Sequence, residues 1–375
     1  MSDRAFLDFY DELNSIPVHQ HGAGSALHFA QRNALFLSLG ITQLVIKSRT
    51  LLEIGPGSGD NALHLASWSP KSISFVDGAN AAVSNIQKRI DNGEYGNSAS
   101  IIQADVSSYS FPEQFDLVLC EGLIPGQKDP AKFLNNVLSA LKPNGICVFT
   151  TVSSVSYLAE ICRRILLPLF KQKFIDDEPL FDYLTLFFKE DLNSLSGMSR
   201  HHKDWVLDNI IHSWTENSLF SLEEALVALP DEFNVLGCSP KFIQDWRWYK
   251  ESHSGNKNTI LQSYTEWSPY LIDYRVTPKI AFEQSQSQEL LRLCDKAMQI
   301  HNVYRTSCLE KDLDNFILVL KSIDKLIGEN MIETSLAINN FIAAIPLLKN
   351  GDFDCDLSLF RKWFGRGQQY LSVVR

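Results

Sequence analysis

The stretch Leu51–Asn61, LLEIGPGSGDN, decides the fold. An apolar run ends at Glu53 and Ile54, and three glycines follow at alternate positions, Gly55, Gly57 and Gly59, before a helix begins near Asp60. A chain leaving a strand in this way must bend sharply and present backbone N–H groups to a ligand at a helix N-terminus, where a Cβ would be in the way. The spacing departs from the GxGxxG dinucleotide fingerprint, because Asp60 stands three residues after Gly57 and the third glycine comes one position early. That counts against a nicotinamide or flavin site.

Outward from this turn, short apolar runs alternate with helical stretches. Strands are predicted at Thr50–Ile54, Ile73–Val76, Ser100–Gln103, Phe115–Cys120 and Ile146–Thr150. Amphipathic stretches such as Ala81–Ile90 and Pro130–Leu141 lie between them, the second closed by Lys142, Pro143, Asn144 and Gly145. Such alternation predicts an α/β protein with a doubly wound, mostly parallel sheet. Residues 1–45 read as an N-terminal helical cap, with Phe6, Phe9 and Leu13 on one face and a second helix from Ser25 to Leu39 ended by Gly40. Residues 46–254 read as the sheet domain, carrying a helical lid inserted at about 153–220, with further strands at Phe233–Cys238 and Ile243–Tyr249. The stretch Lys250–Thr259 is the best linker, and residues 255–375 read as a C-terminal helical domain.

Acids recur at the carboxyl ends of the predicted strands. Asp77 ends the second strand, where a carboxylate can accept hydrogen bonds from both ribose hydroxyls. Asp105 follows the third, placed to accept from an exocyclic adenine amine while the Val106 N–H reads the neighbouring ring nitrogen. Glu121 follows the fourth. Several acids on one edge suit a nucleoside that carries positive charge, such as a sulfonium, better than they suit a polyphosphate.

In this order the motifs resemble the class I, seven-stranded, Rossmann-like S-adenosylmethionine-dependent methyltransferases. The resemblance covers about Arg49 to Thr151: ExGxGxG at Glu53–Gly59, Asp77, Asp105, the strand FDLVLCE, and LKPNGICVFT at Leu141–Thr150. It implies S-adenosyl-L-methionine lying across the strand edge, with Gly55, Gly57 and Gly59 along its methionyl part. Asp77 would hold the ribose, Asp105 and Val106 the adenine, and Glu121 would lie near the methionine end or the reaction centre. It also implies in-line methyl transfer to an O or N acceptor on a small molecule, glycan or natural-product intermediate. A non-catalytic scaffold or sensor that binds the same cofactor is the alternative, with the C-terminal helices mediating assembly into a homo-oligomer.

A base is sought in SRHHKDWVLDNIIHSW, Ser199–Trp214. At about 100° per residue, His201, Trp205, Asp208 and His212 share an arc of roughly 60°. His201, His202 or His212 is the candidate base, Asp208 the group that orients it, and Trp205 a stacking surface for substrate. In the cap, Tyr10, His21 and Arg32 are candidate substrate contacts, with His19 beside them. His64 reads as packing or surface. Trp246 and Trp248, on one face of QDWRWYK, read as core.

Composition bounds the partners. With 34 basic and 44 acidic residues the chain carries a net charge of −10, and no basic patch stands against it, so no nucleic-acid partner is expected. The reading CEGLIPG at Cys120–Gly126 agrees, since base-modifying relatives carry a short Asn-Pro-Pro-Tyr-like signature there. Seven scattered cysteines without a CxxC pair suggest a reducing, cytoplasmic setting and no metal site. The acidic opening MSDRAFLDFYDELNS does not read as a signal peptide. No apolar run is long enough to span a membrane, as the longest, Ala34–Ile46, is broken by Ser38, Gly40, Thr42 and Gln43.

Overall fold

A computed structural model of the chain describes residues 18–111, 114–174, 177–212, 219–242, 247–251 and 255–375, with the backbone alone at 177 and 178. Tyr10, the first cap helix, Trp214, Trp246 and most of the strand expected at Ile243–Tyr249 lie outside these residues. The described remainder of that last stretch is not strand, and Trp248 is exposed instead of joining a core.

Seven strands form one sheet: β1 Thr50–Ile54, β2 Ser72–Asp77, β3 Ala99–Gln103, β4 Phe115–Cys120, β5 Leu141–Thr151, β6 Asn234–Ser239 and β7 Gln369–Val374. The order is β3-β2-β1-β4-β5-β7-β6. The first five run parallel, and β7 lies antiparallel to both β5 and β6. Strand order reverses between β1 and β4, so the crevice at their carboxyl ends is the natural ligand site of such a sheet. Both central strands are buried almost throughout, as strands covered on two faces must be.

Helices close both faces. On one side α1 (Ala26–Ser38), α2 (Ala62–Ala66) and α3 (Asn80–Asp91) bury Phe36, Leu65 and Ile86 against Phe75 and Leu119. The Ser25 side chain caps α1 by accepting from His28 N–H at 3.2 Å, and Gly40, at φ +75°, ends it as expected from the sequence. On the other side lie α4 (Pro130–Ser139), the helices of the insert and the C-terminal helices. The insert opens with α5 (Ser154–Arg164), in which every residue is buried. Helix α5 packs against the later helix α8 (Gln284–Ser307), and between the two in the chain come α6 (His202–Val206) and α7 (Leu222–Ala228).

The expected boundary at 255 needs correcting. Phe149 of β5, Leu290 of α8, Phe316 of α9 (Glu310–Ile327) and Phe341 of α10 (Ile332–Lys349) belong to one continuous core. Asn256, in the expected linker, exchanges hydrogen bonds of 2.8 and 3.1 Å with the backbone of Val235 in β6. After the helices the chain re-enters the sheet as β7, seated between β5 and β6. Residues 255–375 therefore complete the sheet domain and are not separate from it.

Candidate functional site

The glycine turn adopts the conformation its composition demands. Gly55, Gly57 and Gly59 all have positive φ, at +67°, +56° and +74°. A Cβ on Gly59 would overlap the Tyr95 hydroxyl and Ile86, so this third glycine is fixed by packing against α3. Gly55 N–H donates to Val76 O at 2.8 Å, locking the turn to the end of β2. Asp77, buried there, accepts from Ala79 N–H at 2.9 Å and from Gly57 N–H at 3.4 Å. Asp60 serves the scaffold, as Arg89 grips it at 2.9 Å and also donates to Ser58 O.

A cleft of about 530 Å³ runs along the carboxyl edge of the sheet. Glu53, Gly55, Gly57, Asp77, Asp105, Val106 and Glu121 all line it, so every cofactor residue expected from the sequence except Gly59 meets there. The Asp105 carboxylate accepts through one oxygen from Ser107 N–H at 3.0 Å and Ser107 O–H at 2.7 Å. The edge is less negative than its acids suggest. Arg32 holds Glu121 bidentately, at 3.0 and 2.5 Å, while Asn61 donates to the same carboxylate at 3.2 Å. Burial and the neighbouring Glu121 charge push the Glu53 carboxyl up to about 8, against the pull of Arg32. Arg32 itself does not line the cleft, and it reaches the site through Glu121.

The roof comes from two segments that are distant in sequence. Val18 and Gln20 line the cleft, and Gln20 is anchored by its N–H to Asp60 at 3.2 Å and by its amide to Asn61 at 3.2 Å. His21 N–H donates to Ser199 O at 2.6 Å and His201 N–H to His19 O at 3.1 Å, clasping this strap to the insert. Asp204 accepts from both the N–H and the ring of His19, at 2.9 and 3.0 Å. The His21 and His201 rings stack with centroids 3.8 Å apart.

The base candidates are rearranged by a local change of helix type. α6 passes at Leu207 into a π turn, Leu207–Ile211, in which His212 N–H bonds to Leu207 O at 2.9 Å, five residues back. The wider turn breaks the 100° spacing on which the expected four-residue face rested. Trp205 and Asp208 line the cleft, whereas His201, His202 and His212 do not. His201 belongs to the clasp, and burial lowers the pKa of His202. His212 is buried with a pKa lowered to about 4, mainly by desolvation. Asp208 is ion-paired with Arg200 at 2.6 Å, and its charge also acts on the His212 ring, which does not line the cleft. His21 sits in the clasp, and His64 packs against Phe36 and Trp68.

Residues the sequence reading did not single out also line the cleft: Tyr157 and Glu160 of α5, Asn209 of the π turn, Gln368 just before β7 and Tyr370 within it. Glu160 could have been noticed as the one acid within the apolar stretch of α5. Tyr370 could not, because its position depends on where β7 inserts. Arg164 donates to Asn209 O and His212 O at 2.6 Å each, and Arg305 of α8 to Ile210 O and Ile211 O at 3.0 and 2.9 Å. These two guanidiniums cap the carbonyl end of the π turn and so fix Trp205 and Asp208. Among the described residues no group of three or more His, Cys, Asp or Glu could hold a metal ion, and no helix is long and apolar enough to cross a membrane.

The left-handed glycines, the buried Asp77 and an elongated cavity of this volume fit an adenosyl amino acid extended along the strand edge. Comparisons with known proteins agree. A family model described as "Methyltransferase domain" matches residues 52–149. A tRNA1(Val) (adenine(37)-N6)-methyltransferase of Shewanella halifaxensis is 26% identical over 133 residues, which cover 35% of this chain and 51% of that protein. The chain thus spans about half the length of this curated relative. Among solved structures, the N-methyltransferase NodS of Bradyrhizobium japonicum in complex with S-adenosyl-L-homocysteine is 23% identical, covering 34% of this chain and 62% of its own at a TM-score of 0.29. The [4+2]-cyclase SpnF is 13% identical, covering 99% of this chain and 94% of its own at a TM-score of 0.41. Neither structural likeness bears weight at these scores; the matched domain and the cleft do. Over residues 52–149 the chain is therefore similar to S-adenosylmethionine-dependent methyltransferases, and the cleft beside that segment is one that S-adenosyl-L-methionine would fit.

Proposed function

We propose that the protein is an S-adenosylmethionine-dependent methyltransferase acting on an O or N acceptor of a small molecule, glycan or natural-product intermediate. The observation that carries this reading is a single cleft lined both by the glycine turn and carboxylates that would take the cofactor and by Tyr157, Trp205 and Tyr370, aromatic surfaces for an acceptor. When bound, the cofactor supplies a methyl group already activated by its sulfonium. The chain's residues then have to orient and enclose. Asp77 would take the ribose hydroxyls, and Asp105 with the Val106 N–H the adenine. Gly55 and Gly57 would let the backbone approach the methionyl part, with Glu53 and the Arg32-held Glu121 beside it. The clasped roof at Gln20 and Arg200 excludes water, and the aromatic wall holds the acceptor in line about 3 Å from the methyl.

The curated relative is named for an adenine of tRNA. A net charge of −10 and the CEGLIPG reading after β4 favour a small acceptor for this chain instead. The test is acceptor-dependent formation of S-adenosylhomocysteine across a panel of phenols, amines, sugars and a tRNA transcript. Turnover confined to the small molecules is expected. Turnover confined to the transcript would overturn the acceptor class, and cofactor binding without turnover on any of them would favour the scaffold reading.

A further inference from the structure

A second cavity of about 510 Å³ adjoins the cofactor cleft, and the two share Glu160, Arg200, Trp205, Gln368 and Tyr370 as walls. Glu160 is thus a carboxylate on the partition between the cofactor's space and a largely separate space reaching to Leu35, Met198 and Phe364. It is 7% exposed, and its Oε2 has no hydrogen-bond partner among the described residues. A buried acceptor atom left bare costs stability and asks for an explanation. The backbone N–H groups of Glu160 itself and of Gly365 favour the charged form of the carboxylate. Gly365 lies so close to α5 that a Cβ there would collide with Ser156 O, so this approach requires a glycine.

The geometry points to Glu160 as the catalytic base of the proposed methyl transfer, acting on a hydroxyl of an acceptor that enters through the second cavity. The inference rests on the methyltransferase reading. As the acceptor oxygen forms its bond to the methyl carbon, the methyl–sulfur bond breaks and its electron pair stays on sulfur. The hydroxyl proton passes to the Glu160 carboxylate, so cationic donor and neutral acceptor leave as thioether and methyl ether, with one proton on the carboxyl. A hydroxyl is favoured over an amine for a physical reason. A carboxylate in a dry pocket beside an amine would hold it as an ammonium, which has no lone pair to attack with, whereas a neutral O–H donates to the same oxygen and is activated.

The charged and titratable groups near Glu160 are compatible with this role. Arg163, its neighbour on α5, is occupied by Asp191 at 3.0 Å and by Trp363 O at 2.8 Å. Arg200 is held by Asp208, Arg366 donates to Tyr270 O and Val276 O, and Tyr157 lies on the same face of α5 one turn earlier. Burial lifts the carboxyl to about 7 against the pull of Arg163, a value suited to accepting a proton near neutrality.

The test compares full-length wild type with Glu160→Gln, which keeps shape and removes charge, and with Glu160→Asp. Calorimetry measures S-adenosylhomocysteine and sinefungin, whose amine carries a positive charge where the transferred methyl would stand. At about pH 8, Glu160→Gln is expected to lose roughly tenfold in sinefungin affinity while binding S-adenosylhomocysteine within about twofold of wild type. Glu160→Asp should recover part of the loss, and the wild-type preference for sinefungin should shrink toward that of the variant at about pH 6. An unchanged sinefungin preference in Glu160→Gln would overturn the assignment. Loss of both ligands by wild type itself would mean that the cofactor reading has failed, a separate result. With S-adenosylmethionine and the probes 4-methylphenol and benzylamine, methylation of the phenol that falls about 10²-fold or more in Glu160→Gln supports the role. Methylation of benzylamine alone would overturn the hydroxyl assignment.

Discussion

Replacing Asp77 separates what the site asks of a carboxylate from what the turn asks of it. In the protein without ligand, Asp77 accepts from Ala79 N–H at 2.9 Å and from Gly57 N–H at 3.4 Å, and it is 8% exposed. Asp77→Asn keeps a carbonyl oxygen that can still serve Ala79, so stability should fall by less than about 1 kcal/mol. The same change removes the charge that strengthens hydrogen bonds from two ribose hydroxyls, a loss of about 1.5–3 kcal/mol. The dissociation constant for S-adenosylhomocysteine should therefore rise roughly tenfold to a hundredfold or slightly more. Asp77→Ala abolishes both roles, and because it strands the buried Ala79 N–H it should cost about 1–3 kcal/mol of stability as well. Isothermal calorimetry and urea denaturation on the two variants read these quantities independently. Wild-type affinity in Asp77→Asn would refute the placement of the ribose, and a large stability loss in Asp77→Asn would refute the account of the turn.

Three further outcomes are expected. Gly59→Ala should destabilise the protein by about 2–5 kcal/mol in urea melts, from the left-handed φ and the overlap with Tyr95 and Ile86; adding Tyr95→Phe should relieve only part of this. The Glu53 carboxyl keeps a proton in the fold that the unfolded chain releases above about pH 4.5, so stability should decline as pH rises from there to about 8 and then level off; Glu53→Gln should flatten that decline in urea midpoints across the range. Asp191, 1% exposed, answers Arg163 at 3.0 Å and Arg361 at 2.5 Å, and Asp191→Ala should cost about 3–5 kcal/mol in the same assay, because it leaves the fully buried Arg163 guanidinium without a carboxylate while Arg361 keeps Glu190 at 3.3 Å.

Strands β1 to β5 and the cofactor edge could be read from the sequence because their signals are local. A glycine turn, an acid at a strand end and an apolar run each declare themselves within a few residues. What escaped depends on distance or on a change of local geometry. β7 is six residues long, follows three helices, and its burial does not alternate, because β5 and β6 flank it on both sides. The histidine face of the insert presupposes a regular α-helix, and one π turn at Leu207–Ile211 redistributes it. Arg32 is a candidate substrate contact only through the family resemblance of the cap, and its pairing with Glu121, 89 positions away, depends on how α1 packs. Glu160 carries no motif, and its significance comes from two cavities meeting at one carboxylate.

The interior position of β7 bears on how the molecule is assembled. Thr151 and Gln369 meet across 218 residues, so β5 has only β4 beside it and β6 lacks its partner until nearly all of the intervening helices have been made and packed. Closing so large a loop is entropically costly and slow relative to forming the helices themselves. Until then two strands present open backbone edges, the surfaces through which partly folded chains stick to one another. Refolding should therefore be limited by a late docking step, and its yield should fall as the chain concentration rises.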